Sequence, residues 1–422
     1  MNVVGIIAEY NPFHKGHAYQ IETIKAQTNA DYVIIAMSGD FIQRGGPALL
    51  DKYSRAKMAL SCGADLVLEL PVPFATASAE LFAQGGVSLL RNTGVVTHLG
   101  FGAESENLIL LQKIASILVQ SPNAFEEYLQ QELKAGFSFP LARAHALESY
   151  LSNDNTLDFA DFHHILSSPN NILAIEYLKA LAVYAPSIIP HPILRQGKGY
   201  HDTSFTKDFC SASAIRTFLQ QEQCTLDYMF SKNILLSSTQ LTDAMPKEAH
   251  TILASYPYSF LFENNFSSLL HYKLLMENAI TLNSYADSSP ELSNRILHAR
   301  NSFVSWSQFC ALLKTKNVTY TRLSRLLLHL LLNIHKEDAL LPVPYLRVLG
   351  FKKVSSPLLH KIKMQGSSPL ITAPAHAFST LPPSAHSMLK LDITASDIYN
   401  LGCTTAKGIK PDNDYTHPIV IL

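Results

Sequence analysis

Short apolar runs alternate with amphipathic segments along the first half of the chain. The apolar runs predict five strands, at residues 3–8, 32–37, 65–70, 95–101 and 187–194. The intervening patterns predict helices at residues 17–27, 49–62, 78–91, 169–181 and 211–220, and helical structure over 104–150. Strands that are apolar throughout and separated by helices are typical of a parallel sheet covered on both faces. We therefore expect a doubly wound α/β domain with its ligand site at the carboxyl edge of the sheet.

The alternation stops near residue 223. Residues 225–340 have a mainly helical pattern, which includes the apolar stretch 323–334, and Leu341-Pro342-Val343-Pro344 interrupts it. A smaller mixed segment follows, with a possible strand at 369–372. The predicted division is an α/β domain at 1–223, a mainly helical domain at 224–341 and a small α/β segment at 342–422.

Composition places the chain among folded multidomain proteins, since its 422 residues are 47% hydrophobic and 16% charged. The net charge of −1 means that any nucleic-acid surface must be a local patch. Five scattered cysteines without a CxxC pair indicate a reducing compartment. We find no signal-peptide pattern and no apolar run of about 18 residues, so we expect a soluble cytoplasmic protein without a membrane partner or an obligate protein partner.

The segment His14-Lys15-Gly16-His17 follows the first predicted strand and opens the first predicted helix. A helix N-terminus has unpaired N–H groups and partial positive charge, which favour a phosphate. The two imidazoles can donate hydrogen bonds to phosphate oxygens, and Gly16 allows a nucleotide to approach the backbone. The alternative is a strand–turn–helix with incidental histidines. The position of the His14–His17 segment at the head of a β/α alternation favours a nucleotide site with His14 and His17 as the catalytic residues.

This HxGH turn resembles that of the nucleotidylyltransferase superfamily. Six longer strings resemble the bacterial tRNA(Met) cytidine acetate ligase family: VGIIAEYNPFHKGH, MSGDFIQRG, DKYSRAKMAL, GADLVLELP, SPNNILAIEYLKA and GYHD. They run in order over about the first 220 residues, and TYTRLSRLLLHLLLNI continues the likeness in the helical part.

The resemblance implies a Rossmann-like catalytic domain that binds ATP. It also implies a ligase that converts ATP and acetate into acetyl-adenylate and pyrophosphate. The acetyl group then passes to the 4-amino group of the wobble cytidine in elongator tRNA(Met). We expect Mg²⁺ to accompany the ATP phosphates, because no dedicated carboxylate cage is visible in the sequence.

The resemblance also implies which residues contact the nucleotide. One continuous segment wraps it: Ile7, Ala8, Glu9, Tyr10, Asn11, Pro12, Phe13, His14, Lys15, Gly16, His17, Ala18, Tyr19 and Gln20. Gly102 lies near the adenosine, Asn170 reads base or ribose edges, and Arg195 and Gln196 complete the phosphate and ribose side.

The segment Ser211-Ala212-Ser213-Ala214-Ile215-Arg216 resembles a late phosphate-binding motif of the superfamily, and its alternative is an ordinary capped helix. Two positions depart from the family pattern. Gly46 stands where a Glu is expected after QRG, and Ala212 where a Ser or Thr is commoner.

Two further groups of polar residues have open interpretations. Asp40, Gln43 and Arg44 follow the second strand, and they either contact acetate or cytidine or form a solvated loop with an Asp-anchored turn. Lys52 and Arg55 share one face of a predicted helix with Lys57 nearby. They form either a basic face toward RNA or a solvated face.

Positive charge is concentrated between residues 320 and 363, which contain eight Lys or Arg and two acids. Arg322 and Arg325 share a helix face there and are candidates for tRNA phosphate contacts, the alternative being a helix with basic solvent edges. The pair His163-His164 has no third ligand at a fitting interval, so we interpret it as two loop histidines rather than a metal site.

Two other functions stay open at this point. An adenylyltransferase that acts on a small phosphorylated metabolite shares the HxGH turn and the sheet. A non-catalytic nucleotide- or RNA-binding module is a different class. The roughly 200 residues beyond the nucleotide domain and the intact histidine pair favour the RNA-modifying ligase.

Overall fold

The computed structural model describes residues 1–105, 107–152, 159–195, 210–223, 238–339 and 341–422. The GYHD string at 199–202, Gln196 and Cys224 lie outside the described residues.

One mixed sheet organises the described part of the chain. Its strands are β1 (Val3–Ala8), β2 (Tyr32–Ser38), β5 (Leu66–Leu70), β6 (His98–Ala103), β7 (Ile189–Leu194), β8 (Leu346–Phe351), β9 (Leu370–Ile371) and β10 (Val420–Ile421). The order is β10-β8-β5-β2-β1-β6-β7, with β9 also paired to β8. The five strands of the N-terminal half pair in parallel, which confirms the doubly wound α/β prediction. A two-stranded ribbon, β3 (Phe41–Ile42) with β4 (Gly46–Pro47), lies in the loop after β2.

Helices of the N-terminal half connect these strands. They are α1 (Lys15–Gln27), α2 (Lys52–Ser61), α3 (Val72–Ala75), α4 (Ala79–Asn92), α5 (Leu108–Gln120), α6 (Asn123–Lys134), α7 (Phe139–Leu151), α8 (Phe159–Ser167), α9 (Pro169–Tyr184) and α10 (Ala212–Gln223). Adjacent residues of β1 pack on opposite faces of the sheet, because side chains alternate along a strand. Val3 and Ile7 belong to one buried cluster, and Val4 and Ile6 to another. Burial on both faces explains why the strands are apolar throughout.

Residues 238–339 are mainly helical, as the sequence predicts. The helices are α11 (Thr239–Ala244), α12 (Lys247–Ser255), α13 (Ser267–Met276), α14 (Ala279–Ser284), α15 (Pro290–Ala299), α16 (Trp306–Leu313) and α17 (Tyr320–Leu332), with 3₁₀ turns at Glu263–Phe266 and Arg300–Ser302. Trp306 and the leucines of α17 belong to a third buried cluster, so they are packing residues.

The C-terminal segment differs from the prediction in one respect. Strand β8 pairs antiparallel with β5, so the segment extends the first sheet. The sequence does not predict β8, because Arg347 interrupts its apolar run and a buried arginine is rare without ionic partners. Beyond β8 the segment contains a 3₁₀ turn (Lys353–Ser355) and the helices α18 (Ser356–Gln365), α19 (Pro374–Thr380) and α20 (Pro383–Lys407). The domain boundaries at 223 and 341 stay predictions.

In the described part of the chain, no single helix has the length and apolar character of a membrane span. The pair α5 and α6 passes this test only when the two helices are taken together, and they are bent by 84° at their junction.

Candidate active site

A cleft of about 440 Å³ opens at the carboxyl ends of β1, β6 and β7. Of the residues predicted to contact a nucleotide, thirteen line it: Ile7, Ala8, Glu9, Tyr10, Asn11, His14, Gly16, His17, Tyr19, Gln20, Gly102, Asn170 and Arg195. Pro12, Phe13, Lys15 and Ala18 are not among the described lining residues. Gln196 lies outside the described residues. The volume suits a small-molecule ligand, and the individual binding roles stay predictions.

The side chains of both histidines in the HxGH turn accept backbone N–H groups at the first turn of α1. The Gly16 N–H donates to His14 Nδ1 at 3.1 Å, and the His14 N–H donates to His17 Nδ1 at 3.2 Å. The rings stack with centroids 3.7 Å apart. Since each Nδ1 is an acceptor, each neutral ring has its proton on Nε2.

Burial keeps both imidazoles neutral. It lowers the pKa of His14 to about 3, and the nearby Arg195 guanidinium contributes in the same direction. Burial also lowers the pKa of His17 well below its usual value, assisted by His14 and Arg195. Both residues line the cleft, so each can donate one hydrogen bond there from Nε2. Two such donors beside a helix N-terminus are suited to phosphate oxygens.

Aromatic packing holds this turn in place. Phe13 is fully buried beneath it, and its ring lies 4.8 Å from that of Tyr10 and 5.4 Å from that of His17. Tyr10 has a φ of 49°, in the left-handed region that a bulky residue rarely adopts. This backbone turn takes the chain from β1 to the N-terminus of α1, and it presents His14 and His17 to the cleft.

A second polar group lies across the cleft from β1. Arg195 Nη1 donates to Asn170 Oδ1 at 3.0 Å, and Asn170 Nδ2 donates to the Glu104 carboxylate. The fully buried Asn171 holds this region, since its Oδ1 accepts the Glu104 N–H at 2.8 Å. A Cβ on Gly102 would lie 3.3 Å from Arg195 Cγ, so a glycine at this position leaves room for the arginine. The structure thus brings together Glu104, Asn170 and Arg195, which are distant in sequence.

The late motif and the helical region complete the wall. Ser211, Ala212, Ser213 and Arg216 line the cleft. Arg216 Nη1 donates to Asn11 Oδ1 at 3.2 Å, and its Nη2 lies 3.5 Å from the Glu263 carboxylate.

Glu263 is a cleft residue that sequence analysis missed, because it belongs to a short 3₁₀ turn without a motif. Its Oε1 would lie 2.6 Å from a Cβ on Gly46, the position where the family pattern has a Glu. The Glu263 carboxylate therefore occupies the space beside Gly46. The sequence around Glu263 contains no motif that would predict this position.

The loop after β2 divides between the cleft and the core. Gln43 and Arg44 line the cleft, and the Gln43 N–H donates to Glu9 Oε1 at 3.0 Å. Asp40 is buried, and it accepts hydrogen bonds from the Lys52 N–H at 2.7 Å and from Ser396 Oγ at 2.7 Å. Asp40 is not among the described residues that line the cleft, and it is not solvated. Its carboxylate anchors the loop, as the second interpretation expects.

For Lys52 and Arg55, both interpretations of the basic face on α2 are wrong, because neither side chain is at the surface. Lys52 is 1% exposed and Arg55 is 0% exposed, while Lys57 is exposed. Arg55 Nη1 donates to the carbonyls of Glu9 at 2.6 Å and Ser38 at 3.1 Å. It thus ties the end of β1 to the end of β2 beneath the cleft.

Gly45 joins this loop to α17. Its φ is +82°, and a Cβ there would lie 2.2 Å from the Arg325 backbone nitrogen. Ser324 Oγ also donates to the Gly45 carbonyl at 2.7 Å.

We expect Gly45→Ala to destabilise the fold more than Gly136→Ala. Gly136 has a similar φ of +88°, but its Cβ would meet nothing within 4 Å. Both changes place an alanine in the left-handed region, which lowers the free energy of unfolding by about 1–2 kcal/mol. Gly45→Ala adds an overpacking cost of about 1–3 kcal/mol. Urea unfolding of both variants measures the difference. Equal losses would contradict the close packing of this loop on α17.

The basic segment 320–363 is not one surface. Arg347 is buried, and Arg325 donates to both Asp287 carboxylate oxygens, at 2.8 and 3.0 Å. Arg322 makes a 3.4 Å hydrogen bond to the Asp287 carbonyl. His163 and His164 lie in helix α8 instead of a loop, and the described residues contain no group of three or more metal-ligating side chains.

A parallel sheet with a neutral histidine pair at its carboxyl edge defines a nucleotidyl transferase fold, and residues 1–413 match the HIGH Nucleotidyl Transferase family. Two relatives are 38% identical to this chain, the tRNA(Met) cytidine acetate ligases of Clostridium perfringens and Clostridium kluyveri. The first match covers 98% of both chains, and the second covers 100% of this chain and 99% of the relative. The chain belongs to the tRNA(Met) cytidine acetate ligase family, as its motifs predict.

Solved structures agree with this assignment. The apo crystal structure of Thermotoga maritima TmcAL has a TM-score of 0.91 and 31% identity, and the match covers 100% of both chains. The same protein bound with alpha-thio ATP has a TM-score of 0.89 and 30% identity, again over 100% of both chains.

Proposed function

We propose that this chain is an ATP-dependent ligase that acetylates the wobble cytidine of elongator tRNA(Met). Its relatives are named tRNA(Met) cytidine acetate ligases. The observation that carries the proposal is the neutral histidine pair, whose Nε2–H groups are available at the edge of the sheet. We propose that the protein acts in the cytoplasm, where a tRNA substrate would be available to it.

In the first step, an acetate oxygen forms a bond to the α-phosphorus of ATP, and the bond from that phosphorus to the β-phosphate oxygen breaks. Pyrophosphate leaves, and acetyl-adenylate stays in the cleft. His14 and His17 donate hydrogen bonds to phosphate oxygens as negative charge shifts during in-line attack. Because both rings are neutral, they act as donors and not as acids.

In the second step, the cytidine 4-amino nitrogen forms a bond to the acetyl carbon. The bond from that carbon to the phosphate oxygen breaks, AMP leaves, and the nitrogen releases one proton to the solvent. This route uses no covalent enzyme nucleophile.

The chain's own carboxylates are poorly placed for a metal site. Glu9 accepts the Gln43 N–H, Glu263 pairs with Arg216, and the described residues form no cluster of metal ligands. We propose that Mg²⁺ accompanies ATP and is held mainly by the phosphates, where it would offset their charge.

A direct assay tests this function. Purified protein is incubated with ATP, labelled acetate and a tRNA pool, and we expect label in RNA as acetylcytidine after nuclease digestion. Omission of ATP is one control, and a tRNA(Met) transcript with uridine at the wobble position is the other. Transfer of AMP to a small phosphorylated metabolite, with no label in RNA, would instead support the adenylyltransferase alternative.

A further inference from the structure

A second cavity lies in the helical region, apart from the cleft. It has a volume of about 350 Å³ and lies between the N-terminus of α15, the loop that joins α16 to α17, and the first turn of α17. Its polar lining residues are Ser289, Glu291, Arg295, Thr315, Lys316, Asn317 and Arg322. Three of these are cations and one is a carboxylate, so the cavity is electropositive in a chain of net charge −1.

Two of the cations are available to a ligand. Lys316 is exposed, and it has no partner among the described residues. Within the described part of the chain, the guanidinium of Arg322 makes one hydrogen bond, at 3.4 Å to the Asp287 carbonyl, and it lies near the Asp287 carboxylate, which Arg325 already pairs. Arg295 is held in place by hydrogen bonds to the Leu313 carbonyl at 3.2 Å and to Glu291 at 3.0 Å. Several N–H groups of Lys316 and Arg322 thus have no acceptor among the described residues.

Helix ends add to the positive potential. Ser289 caps α15, and Thr319 caps α17 by accepting the Arg322 N–H at 3.3 Å. Each helix N-terminus has partial positive charge, which adds to that of the three side chains. The apolar lining residues are Leu292 and Val318, and no aromatic ring lines the cavity among the described residues. The cavity therefore suits a phosphate group and offers no stacking surface to a base.

Helix α17 connects this cavity to the catalytic cleft. Arg322 lies in its first turn, and one turn further on Ser324 and Arg325 contact Gly45. Arg44, the residue that precedes Gly45 in this loop, lines the cleft. Standard helix and chain dimensions put the backbone of Arg322 on the order of 15 Å from that of Arg44. A short stretch of RNA can span this distance.

We propose that this cavity binds a backbone phosphate of the tRNA, a few nucleotides from the base that enters the cleft. The inference rests on the proposed function, since it assigns a surface to its RNA substrate. Contacts of this kind position an RNA without reading its sequence. Arg325 has a structural role in this arrangement, because its guanidinium is paired with Asp287.

Charge reversal tests the proposal. In the full-length protein, Lys316→Glu with Arg322→Glu is expected to weaken tRNA binding about ten- to a hundredfold. It should also lower the slope of log affinity against log salt by about one to two. The matched control is Lys361→Glu with Lys363→Glu, two exposed lysines of α18 in the same basic segment. Filter binding at several salt concentrations measures affinity, and acetate-dependent ATP–pyrophosphate exchange measures the first reaction step.

The expected result is a loss of tRNA affinity in the first variant, a smaller effect in the control, and exchange within twofold of wild type in both. Unchanged tRNA affinity, or equal losses in the two variants, would overturn the proposal. So would a changed KM for ATP with normal tRNA binding, which indicates a small-nucleotide site. If the first variant is unfolded by circular dichroism, Lys316→Gln with Arg322→Gln decides by the same criteria.

The two hypotheses can fail separately. Wild-type protein that binds tRNA through this cavity but transfers no acetyl group would contradict the proposed function alone. Protein that acetylates tRNA with an affinity independent of Lys316 and Arg322 would contradict the cavity assignment alone.

Discussion

Replacing His14 with asparagine is expected to lower kcat/KM for acetyl-adenylate formation by about 10²- to 10³-fold while the fold keeps its stability. Loss of one well-placed donor to a developing charge has a cost of about 2.7–4 kcal/mol in the transition state. Asparagine is a good N-cap residue, so its side-chain oxygen can replace His14 Nδ1 as the acceptor for the Gly16 N–H. The substitution therefore removes the Nε2–H donor and retains the cap.

Acetate-dependent ATP–pyrophosphate exchange measures this effect, and thermal unfolding measures stability. Glu22→Ala is the matched control, because Glu22 lies on the same helix, is exposed and is not among the described residues that line the cleft. We expect its exchange rate to stay within about twofold of wild type. Unchanged exchange in the His14 variant, or equal losses in both variants, would rule out the catalytic role.

Replacing Lys52 with methionine is expected to destabilise the protein by about 3–5 kcal/mol, the usual cost of removing one partner from a buried ion cluster. Lys52 Nζ donates to Glu69 at 2.8 Å, to Asp414 at 2.9 Å and to Ser396 at 2.7 Å. Arg347 pairs with the same two carboxylates at 3.0 and 2.9 Å. The change leaves two buried carboxylates with one cation between them.

Lys57→Met is the matched control, because Lys57 lies on the same helix and is exposed. Urea unfolding should show a large loss for the Lys52 variant and less than about 0.5 kcal/mol for the control. Adding Glu69→Gln to the Lys52 variant should restore part of the loss, since it removes one uncompensated charge. Equal stability of the two lysine variants would show that the cluster contributes little.

The sequence predicted the elements that depend on local pattern. The five parallel strands and most of their connecting helices were predicted, with ends that shift by a few residues, whereas α3 and α8 were not. Strand β8 was not, because one charged residue disguised its apolar run. That residue is Arg347, and its charge is neutralised by Glu69 and Asp414, which come from different parts of the chain.

The same distinction holds for the candidate site. The HxGH turn was predicted because its contacts are local, between residues two or three apart in the chain. Arg195 and Asn170 were expected only through resemblance to a family. Glu263 was missed, since it reaches Arg216 and the space beside Gly46 only after the helical region packs on the sheet.

By itself the sequence determined the α/β alternation, the histidine turn and the family, because periodicity, capping and motifs are properties of neighbouring residues. The tertiary structure alone decided which charges are buried. Lys52 and Asp414 are 362 positions apart, yet their side chains form one ion pair. A cation that looks like part of a solvated or RNA-binding face becomes a core residue when distant carboxylates surround it. The long-range packing that supplies these partners leaves no pattern in the neighbouring sequence.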